Sequence, residues 1–454
     1  MRDSGVRGYF AAGPCAGCRS GRVMGGRQGG QSAVTCLRIL PFLSYTGNAF
    51  PSMHAGARTH GQGHRRRRQP HSHKRRSVSF AINQATISPM KTSSADSKTI
   101  FSLPILTMSF VLTLSSFVHA QAGDRSSAAK TDDYSAKIDR LIQATSPRNF
   151  NGVVLITQHG KTKYSKAYGY ADIKNKTPLT PEDNFRIMSN SKQITAVLIL
   201  REVEKGTIDL RSPVRKYLPD LPQAWADEVT VHQLLNFSAG ISAIDQPLNF
   251  KPGTDFLYGV TTYSMLGSIF EKVSGKTYIE AANDLFKELG MKNSFCYEEN
   301  KSNKVINGYV NAKNAFELRE HPVQGKGWIS FIPAGGIVSN ARDLNIWDEK
   351  LHKGKILKPE TYRLMTSYDI SSQHVAFGSE KHGYGYGVYV SDKTPVTYIG
   401  HSGKGLGFAS IKVYFPEKDV DVIVLENQYS EDSALHYYFE IKIREIVMNS
   451  SLLR

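Results

Sequence analysis

Two apolar hairpins, one near each end of the folded part of the chain, constrain its architecture more than any other feature. Gly152-Val153-Val154-Leu155-Ile156-Thr157 is an apolar strand, His159-Gly160 makes the turn, and Lys161 to Tyr170 returns. At the other end Phe408 to Phe415 alternates, Pro416-Glu417-Lys418-Asp419 turns, and Val420 to Glu426 is a second apolar strand. Asp432 then caps a helix with Leu435, Tyr438, Phe439, Ile441, Ile446 and Val447 on its apolar side. The middle reads as helix. Tyr263 to Val273 is amphipathic and stops at Ser274-Gly275, and Tyr278 to Leu289 is amphipathic and stops at Gly290. Strands at both ends with helices between them predict an α/β (α+β) fold. The expectation is an antiparallel sheet flanked by helices, with an inserted, mainly helical subdomain over about 200–330.

The net charge of +17 suggests an anionic partner at first sight, but it is unevenly spread. Residues 1–89 hold fourteen Lys and Arg against the single acid Asp3, which leaves +4 for everything after. That segment is rich in Gly, Arg, Ser and His and lacks hydrophobic periodicity, so it cannot bury enough apolar surface to offset chain entropy. It reads as a disordered basic extension, or as upstream sequence from a mis-assigned start, rather than a nucleic-acid arm. From Met90 the chain reads as a new beginning. Lys91 and Lys98 precede a mostly apolar stretch, Leu103 to Val118, and His119-Ala120-Gln121-Ala122 places small residues for cleavage. Residues 90–122 are therefore expected to be a signal peptide and 123–135 a linker, with the domain over 136–450 exported to a periplasmic or secreted location. The apolar stretch is short for a membrane span and is broken by Pro104, Ser109 and other polar residues, so no stable span is expected after processing.

Cys15, Cys18 and Cys36 fall in the extension, leaving Cys296 alone in the domain. No disulfide framework follows, and Cys15-x-x-Cys18 lacks the second pair a zinc site needs. No His, Asp or Glu cluster has metal-ligand spacing and no glycine-rich loop cradles phosphate. No cofactor, no metal and no nucleic acid is expected; the partner is a small-molecule or peptide substrate.

Chemistry enters at Phe185-Arg186-Ile187-Met188-Ser189-Asn190-Ser191-Lys192, whose apolar positions continue at helical spacing to Leu200. A serine hydroxyl becomes a nucleophile when a neighbouring base takes its proton. Residues three apart share a helix face, so the Lys192 amine can sit beside the Ser189 oxygen. If Ser189 opens the helix, the N–H groups and dipole there favour negative charge. The bland reading is a solvated helix start.

Further segments follow in order. They are Gly169-Tyr170-Ala171-Asp172 with Pro178-Leu179-Thr180; Gly206-Thr207-Ile208-Asp209-Leu210; Thr230 to Ile241; Pro252-Gly253, Tyr258 and Tyr263 to Gly267; Pro333-Ala334-Gly335-Gly336-Ile337; Gly385-Tyr386-Gly387; and His401-Ser402-Gly403. From Ile138 to Val447 the chain resembles the serine β-lactamase and penicillin-binding-protein superfamily, most closely its class C-like branch with related esterases and D-aminopeptidases. The resemblance implies that Ser189 is the acylated nucleophile and Lys192 its base. It implies that Tyr258 shuttles protons, as a base only if the Lys192 cation lowers its pKa. It matches His401-Ser402-Gly403 to the Lys-Thr-Gly strand, with Gly403 letting substrate approach, and the N–H groups of Ser189 and Lys404 to an oxyanion hole.

Three positions depart from that pattern. Val260 stands where an asparagine amide faces substrate, Phe237-Ser238-Ala239-Gly240 replaces His-Thr-Ser-Gly, and His401 removes a permanent cation. Together Val260 and His401 tilt the expectation from β-lactams or D-peptides towards esters or uncharged amides. The chain reads as an exported serine hydrolase; the alternative is a binding or sensor protein that keeps the fold without turnover. Gly335-Gly336 reads as a tight turn, and His159 and His232 as structural or exposed. Trp328, Phe331, Tyr384 and Tyr386 are candidates for the cleft or the core.

Overall fold

The two terminal hairpins join each other. The computed structural model describes residues 132–319, 325–393 and 395–454. Strands β1 (Gly152–Gln158) and β2 (Lys161–Tyr168) form the first hairpin. Four more strands follow late in the chain: β3 (Ser371–Gln373), β4 (Lys381–Tyr384), β5 (Tyr389–Ser391) and β6 (Tyr398–Gly405). β7 (Phe408–Phe415) and β8 (Val420–Glu426) make the second hairpin. The spatial order is β3-β4-β5-β6-β7-β8-β1-β2, antiparallel throughout. β1 closes on β8 in the register Gly152↔Glu426 to Gln158↔Val420. β7 and β8 are buried at every position, which is why they read as continuous apolar runs. β2 is an edge, and its exposed Lys161, Lys163 and Lys166 discourage pairing with another chain.

The helices are α1 (Ser135–Gln143), α2 (Ser191–Glu204), α3 (Val231–Leu235), α4 (Thr261–Ser274), α5 (Tyr278–Leu289), α6 (Gly325–Gly335), α7 (Ala341–His352), α8 (Pro359–Thr366) and α9 (Tyr438–Met448). α4 and α5 end on Gly275 and Gly290 in left-handed conformation, and a Thr277/Glu280 capping box starts α5. α2 is buried all round through Leu200, as a helix packed on every side must be. No helix among the described residues is long and apolar enough to cross a membrane.

Three expectations differ in detail. The linker ends inside its expected range, because Asp132 accepts from Tyr134 and Ser135 and α1 begins at Ser135. The rest of the linker, the basic extension, the signal segment and Cys15, Cys18 and Cys36 lie outside the described residues. The insertion is mainly helical, and it also carries short strands. Phe295–Cys296 pairs with Ile337–Ser339, and a hairpin, Tyr309–Ala312 with Ala315–Leu318, pairs with Gln428–Ser430. Strands of two to four residues are too short to show a period of two.

The apolar side of the C-terminal helix is also rotated. Asp432 caps a separate short turn, Ser433–Leu435, so α9 starts afresh and buries Phe439, Glu440, Ile443, Arg444 and Val447. Gly335-Gly336 is not a turn either: Gly335 closes α6. A Cβ at Gly335 would lie 2.5 Å from the Phe331 ring, and one at Gly336 2.7 Å from the Ile332 backbone.

Candidate active site

Ser189 sits in a single turn, Met188–Asn190, that opens directly into α2. Met188 adopts a φ of 49°, a left-handed backbone that a long side chain rarely takes and that surrounding structure must hold. The restraints are visible. Asn190 Nδ2 donates to Ser410 Oγ on β7 at 2.9 Å, and that hydroxyl donates to the Ile187 carbonyl at 3.0 Å. Within residues 185–200 every side chain is buried except that of Ser189, which is half-buried. The local fold thus offers one hydroxyl to solvent from an otherwise closed segment.

Lys192, one turn on, is completely buried. Its Nζ donates to Ser189 Oγ at 2.9 Å and to the Ala334 carbonyl at the end of α6 at 2.8 Å. It lies 4.9 Å from the Tyr258 ring centroid and 5.6 Å from that of Tyr263. No carboxylate among the described residues pairs with it. Burial without a countercharge disfavours the ammonium and brings its pKa down to about 7. Near neutrality a substantial share of Lys192 is therefore a free amine beside a hydroxyl.

Tyr258 presents one side of its ring to solvent, with 37% of the residue exposed, while its hydroxyl turns inward to hydrogen-bond Ser189. Burial of that hydroxyl pushes its pKa up, and the bond to Ser189 offsets only part of the rise. This corrects the expectation that Lys192 lowers it. A lysine half-neutral itself supplies too little charge to make a phenolate, so Tyr258 stays a protonated donor.

His401 is also buried, on β6. Its Nδ1 lies 2.6 Å from the Ser402 carbonyl, which can only accept, so Nδ1 carries the proton and Nε2 accepts from the Tyr384 hydroxyl at 3.1 Å. Burial and then the nearby Lys192 hold its pKa far below the usual histidine range, so the ring is neutral. Ser402 is buried beside Tyr437.

Packing within the protein itself also requires glycine at Gly403. A Cβ there would lie 2.3 Å from the Ile187 carbonyl and 2.9 Å from the Ser189 nitrogen, so β6 abuts the turn that carries Ser189. Lys404 follows opposite Ala409, and its side chain turns away, donating to His436 Nδ1 at 2.8 Å. Val260 is 41% exposed at the start of α4, two residues past Tyr258, an apolar surface with nothing to donate.

The structure therefore brings Ser189, Lys192 and Tyr258 into contact, sets His401 behind them, and runs Ser402, Gly403 and Lys404 along one side. Tyr384 and Tyr386 are core residues, bonded to His401 and His232. Trp328 and Phe331 pack together, and the Arg186 guanidinium lies over the Tyr297 ring at 3.9 Å and the Trp328 ring at 5.7 Å. His159 is exposed, 3.3 Å from Asp419. No group of three or more His, Cys, Asp or Glu among the described residues is placed to hold a metal ion.

Sequence reasoning missed two parts. The Ala334 carbonyl has no side-chain signal. Phe237 has one, its unusual place in a recognisable segment, and its ring is a hub at 4.5 Å from Tyr258, 5.1 Å from Tyr384 and 5.2 Å from Tyr263.

The family model described as Beta-lactamase matches residues 138–443. Protein flp of Staphylococcus aureus (strain N315) is 25% identical over 334 residues, covering 66% of this chain and 64% of the relative, so the chain spans less than two thirds of that protein. The octameric penicillin-binding protein homologue from Pyrococcus abyssi has a similar structure at 27% identity and a TM-score of 0.58, covering 69% of this chain and 76% of its own. D-amino acid amidase from Ochrobactrum anthropi SV3 shares the fold at 24% identity and a TM-score of 0.60, covering 69% and 98%.

Proposed function

The chain belongs to the beta-lactamase family, within the serine β-lactamase and penicillin-binding-protein superfamily of hydrolases, and we propose that it is an exported serine hydrolase cleaving ester or uncharged amide bonds through a Ser189 acyl-enzyme. One observation carries the reading: Lys192 Nζ lies 2.9 Å from Ser189 Oγ and its pKa is brought to about 7. A base is most effective when its pKa lies near working pH.

In this proposal neutral Lys192 takes the Ser189 proton as Oγ bonds to the substrate carbonyl carbon. The developing oxyanion turns to the N–H groups of Ser189 and Lys404, each such donor being worth about 3 kcal/mol. Tyr258, still protonated, gives its proton to the departing alkoxide or amine and recovers one from Lys192. Water then adds to the acyl carbonyl as the Lys192–Tyr258 pair takes its proton, and Ser189 leaves with a proton returned. Neutral His401 braces the strand through Tyr384 and the Ser402 carbonyl without attracting a substrate carboxylate. Val260 favours substrates with no amide to satisfy beside the scissile bond, because a buried amide left unpaired costs about 1–3 kcal/mol. The D-amino acid amidase supports small amides as a second substrate class.

The test is a panel of p-nitrophenyl esters, nitrocefin and D-amino-acid amides, run on wild type and on Ser189→Ala, with fluorophosphonate labelling measured on separate samples. Ester turnover that depends on Ser189 is the expected result. An acyl-enzyme that forms from the ester and releases no product beyond one equivalent would instead identify the non-turnover binder. Export rests on the layout of residues 90–122. N-terminal sequencing of the native protein should find a start near Gln121 or Gly123, and a cytoplasmic product retaining residues 1–89 would refute export.

A further inference from the structure

Asp369 is a surface residue, its side chain 64% exposed in the segment between α8 and β3. Its carboxylate nevertheless reaches α3. Oδ2 lies 2.9 Å from His232 Nε2, and because a carboxylate only accepts, that nitrogen carries the proton. His232 Nδ1 then accepts from the Tyr386 hydroxyl at 2.7 Å. Oδ1 accepts from Asn236 Nδ2 at 2.9 Å. Asn236 is 1% exposed, and its other end is equally committed: Oδ1 accepts from the Ser238 backbone N–H at 3.1 Å and from Ser238 Oγ at 2.7 Å.

Between Asn236 and Ser238 stands Phe237 with a φ of 63°, a conformation a bulky aromatic adopts only when its surroundings impose it. Its carbonyl accepts from the Leu257 N–H at 2.9 Å, and its ring lies 4.5 Å from that of Tyr258. One turn thus grips both the backbone next to Tyr258 and the Tyr258 ring. Through Tyr384, 5.1 Å away, the same ring touches the partner of His401.

The orientation of the Asn236 amide is the weak point of this assembly. Rotated by half a turn, it would set its NH2 against the Ser238 backbone N–H and lose that contact, while the Ser238 hydroxyl, which also accepts, would not oppose the rotation. A water on the outer side could not choose between the two orientations, because water both donates and accepts. A carboxylate only accepts, so it selects the orientation that holds the Phe237 turn.

We propose that Asp369 is a positioning residue: by fixing the Asn236 amide it sets the Phe237 turn and, through it, the Tyr258 hydroxyl against Ser189. This rests on the reading of Tyr258 as the proton carrier. The test uses Asp369→Ala, Asn236→Asp, the exchanged pair Asn236→Asp/Asp369→Asn, and Tyr258→Phe as reference. The measurements are p-nitrophenyl ester kinetics, fluorophosphonate labelling rate and Tm.

Asp369→Ala should lower kcat about tenfold with KM within about twofold, since small misplacements of a reacting group have large effects. Labelling should change by less than about threefold, because fluoride leaves without a proton from Tyr258. Asn236→Asp alone sets two carboxylates face to face and should lose at least as much. The exchanged pair restores one donor and one acceptor and should recover to within about threefold of wild type. If Tyr258→Phe is inactive while Asp369→Ala keeps wild-type kcat, or loses only Tm, the positioning role is refuted and the reading of Tyr258 stands. An exchanged pair no better than Asn236→Asp alone also refutes it. A fully active Tyr258→Phe overturns the reading of Tyr258 and the proposal with it.

Discussion

Two lysines among the described residues are almost wholly buried, Lys192 under the candidate site and Lys412 on β7, and they differ in their company. Lys412 bonds the carboxylate of Asp348 on α7, with His352 3.3 Å from the same oxygen and Asp421 on the adjacent strand. Burial pushes Asp348 up, but Lys412, His352 and Asp421 together more than offset it and the carboxyl is held below its usual range. Asp421 is raised by burial and then by Asp348. Lys192 has a hydroxyl, a carbonyl and two aromatic rings, and no countercharge. The same residue at the same depth is part of the frame in one place and a poised base in the other. The difference is a single carboxylate.

The sharpest way to break that comparison is to remove the chemistry. Ser189→Ala should abolish fluorophosphonate labelling and hydrolysis with Tm nearly unchanged. Lys192→Ala should cost a similar factor, on the order of 10³ or more, because nucleophile and base act as a unit. Equal labelling of wild type and Ser189→Ala would end the assignment.

The next test reverses the readout. Lys412→Met leaves Asp348 buried without its cation and should destabilise by about 3–5 kcal/mol in denaturant unfolding. Lys192→Met replaces an uncompensated amine by an apolar chain and should retain or raise stability while activity is lost. Equal destabilisation by the two would mean that Lys192 is structural.

The pH dependence sharpens the contrast further. Lys192 must be neutral to accept a proton, so kcat/KM for an ester should rise with pH through about 7. Stability should move the same way. Between about 7 and the unfolded lysine value near ~10.4 the unfolded state binds more protons, so unfolding free energy increases with pH across that window. Lys192→Met should remove that slope; a slope that survives belongs to another group.

The smallest expected effect concerns the rim. Val260→Asn adds an amide at the mouth and should raise kcat/KM for a cephalosporin relative to a p-nitrophenyl ester by roughly tenfold. If wild type already prefers the cephalosporin, or the ratio does not move, another part of the cleft sets specificity.

Part of this was legible in the chain. The hairpin strands β1, β2, β7 and β8 and the ends of α4 and α5 are written in short-range signals: alternation, turn residues, and Gly275 and Gly290 as stops. The contact of Lys192 with Ser189 is equally local, since three residues along a helix return to the same face. The buried face of α9 was misread because Asp432 caps a separate turn and the helix phase restarts at Tyr438. A packing reason for glycine at Gly403 was not legible, because the atoms that exclude a Cβ belong to a turn over two hundred residues earlier in the chain.

The sequence by itself determined which residues are neighbours along helices and strands, and so which hydroxyl stands beside which amine. The tertiary structure alone decided what those groups are worth chemically. Lys192 is lowered to about 7 because α4, α6 and the rings of Tyr258 and Tyr263 close over it and no acid comes with them. Tyr258 is raised because its hydroxyl is carried inward from the insertion to meet Ser189. Spacing along a chain fixes local geometry, but a pKa depends on every charge and dipole within reach and on the water that packing excludes. Those are properties of distant segments brought together.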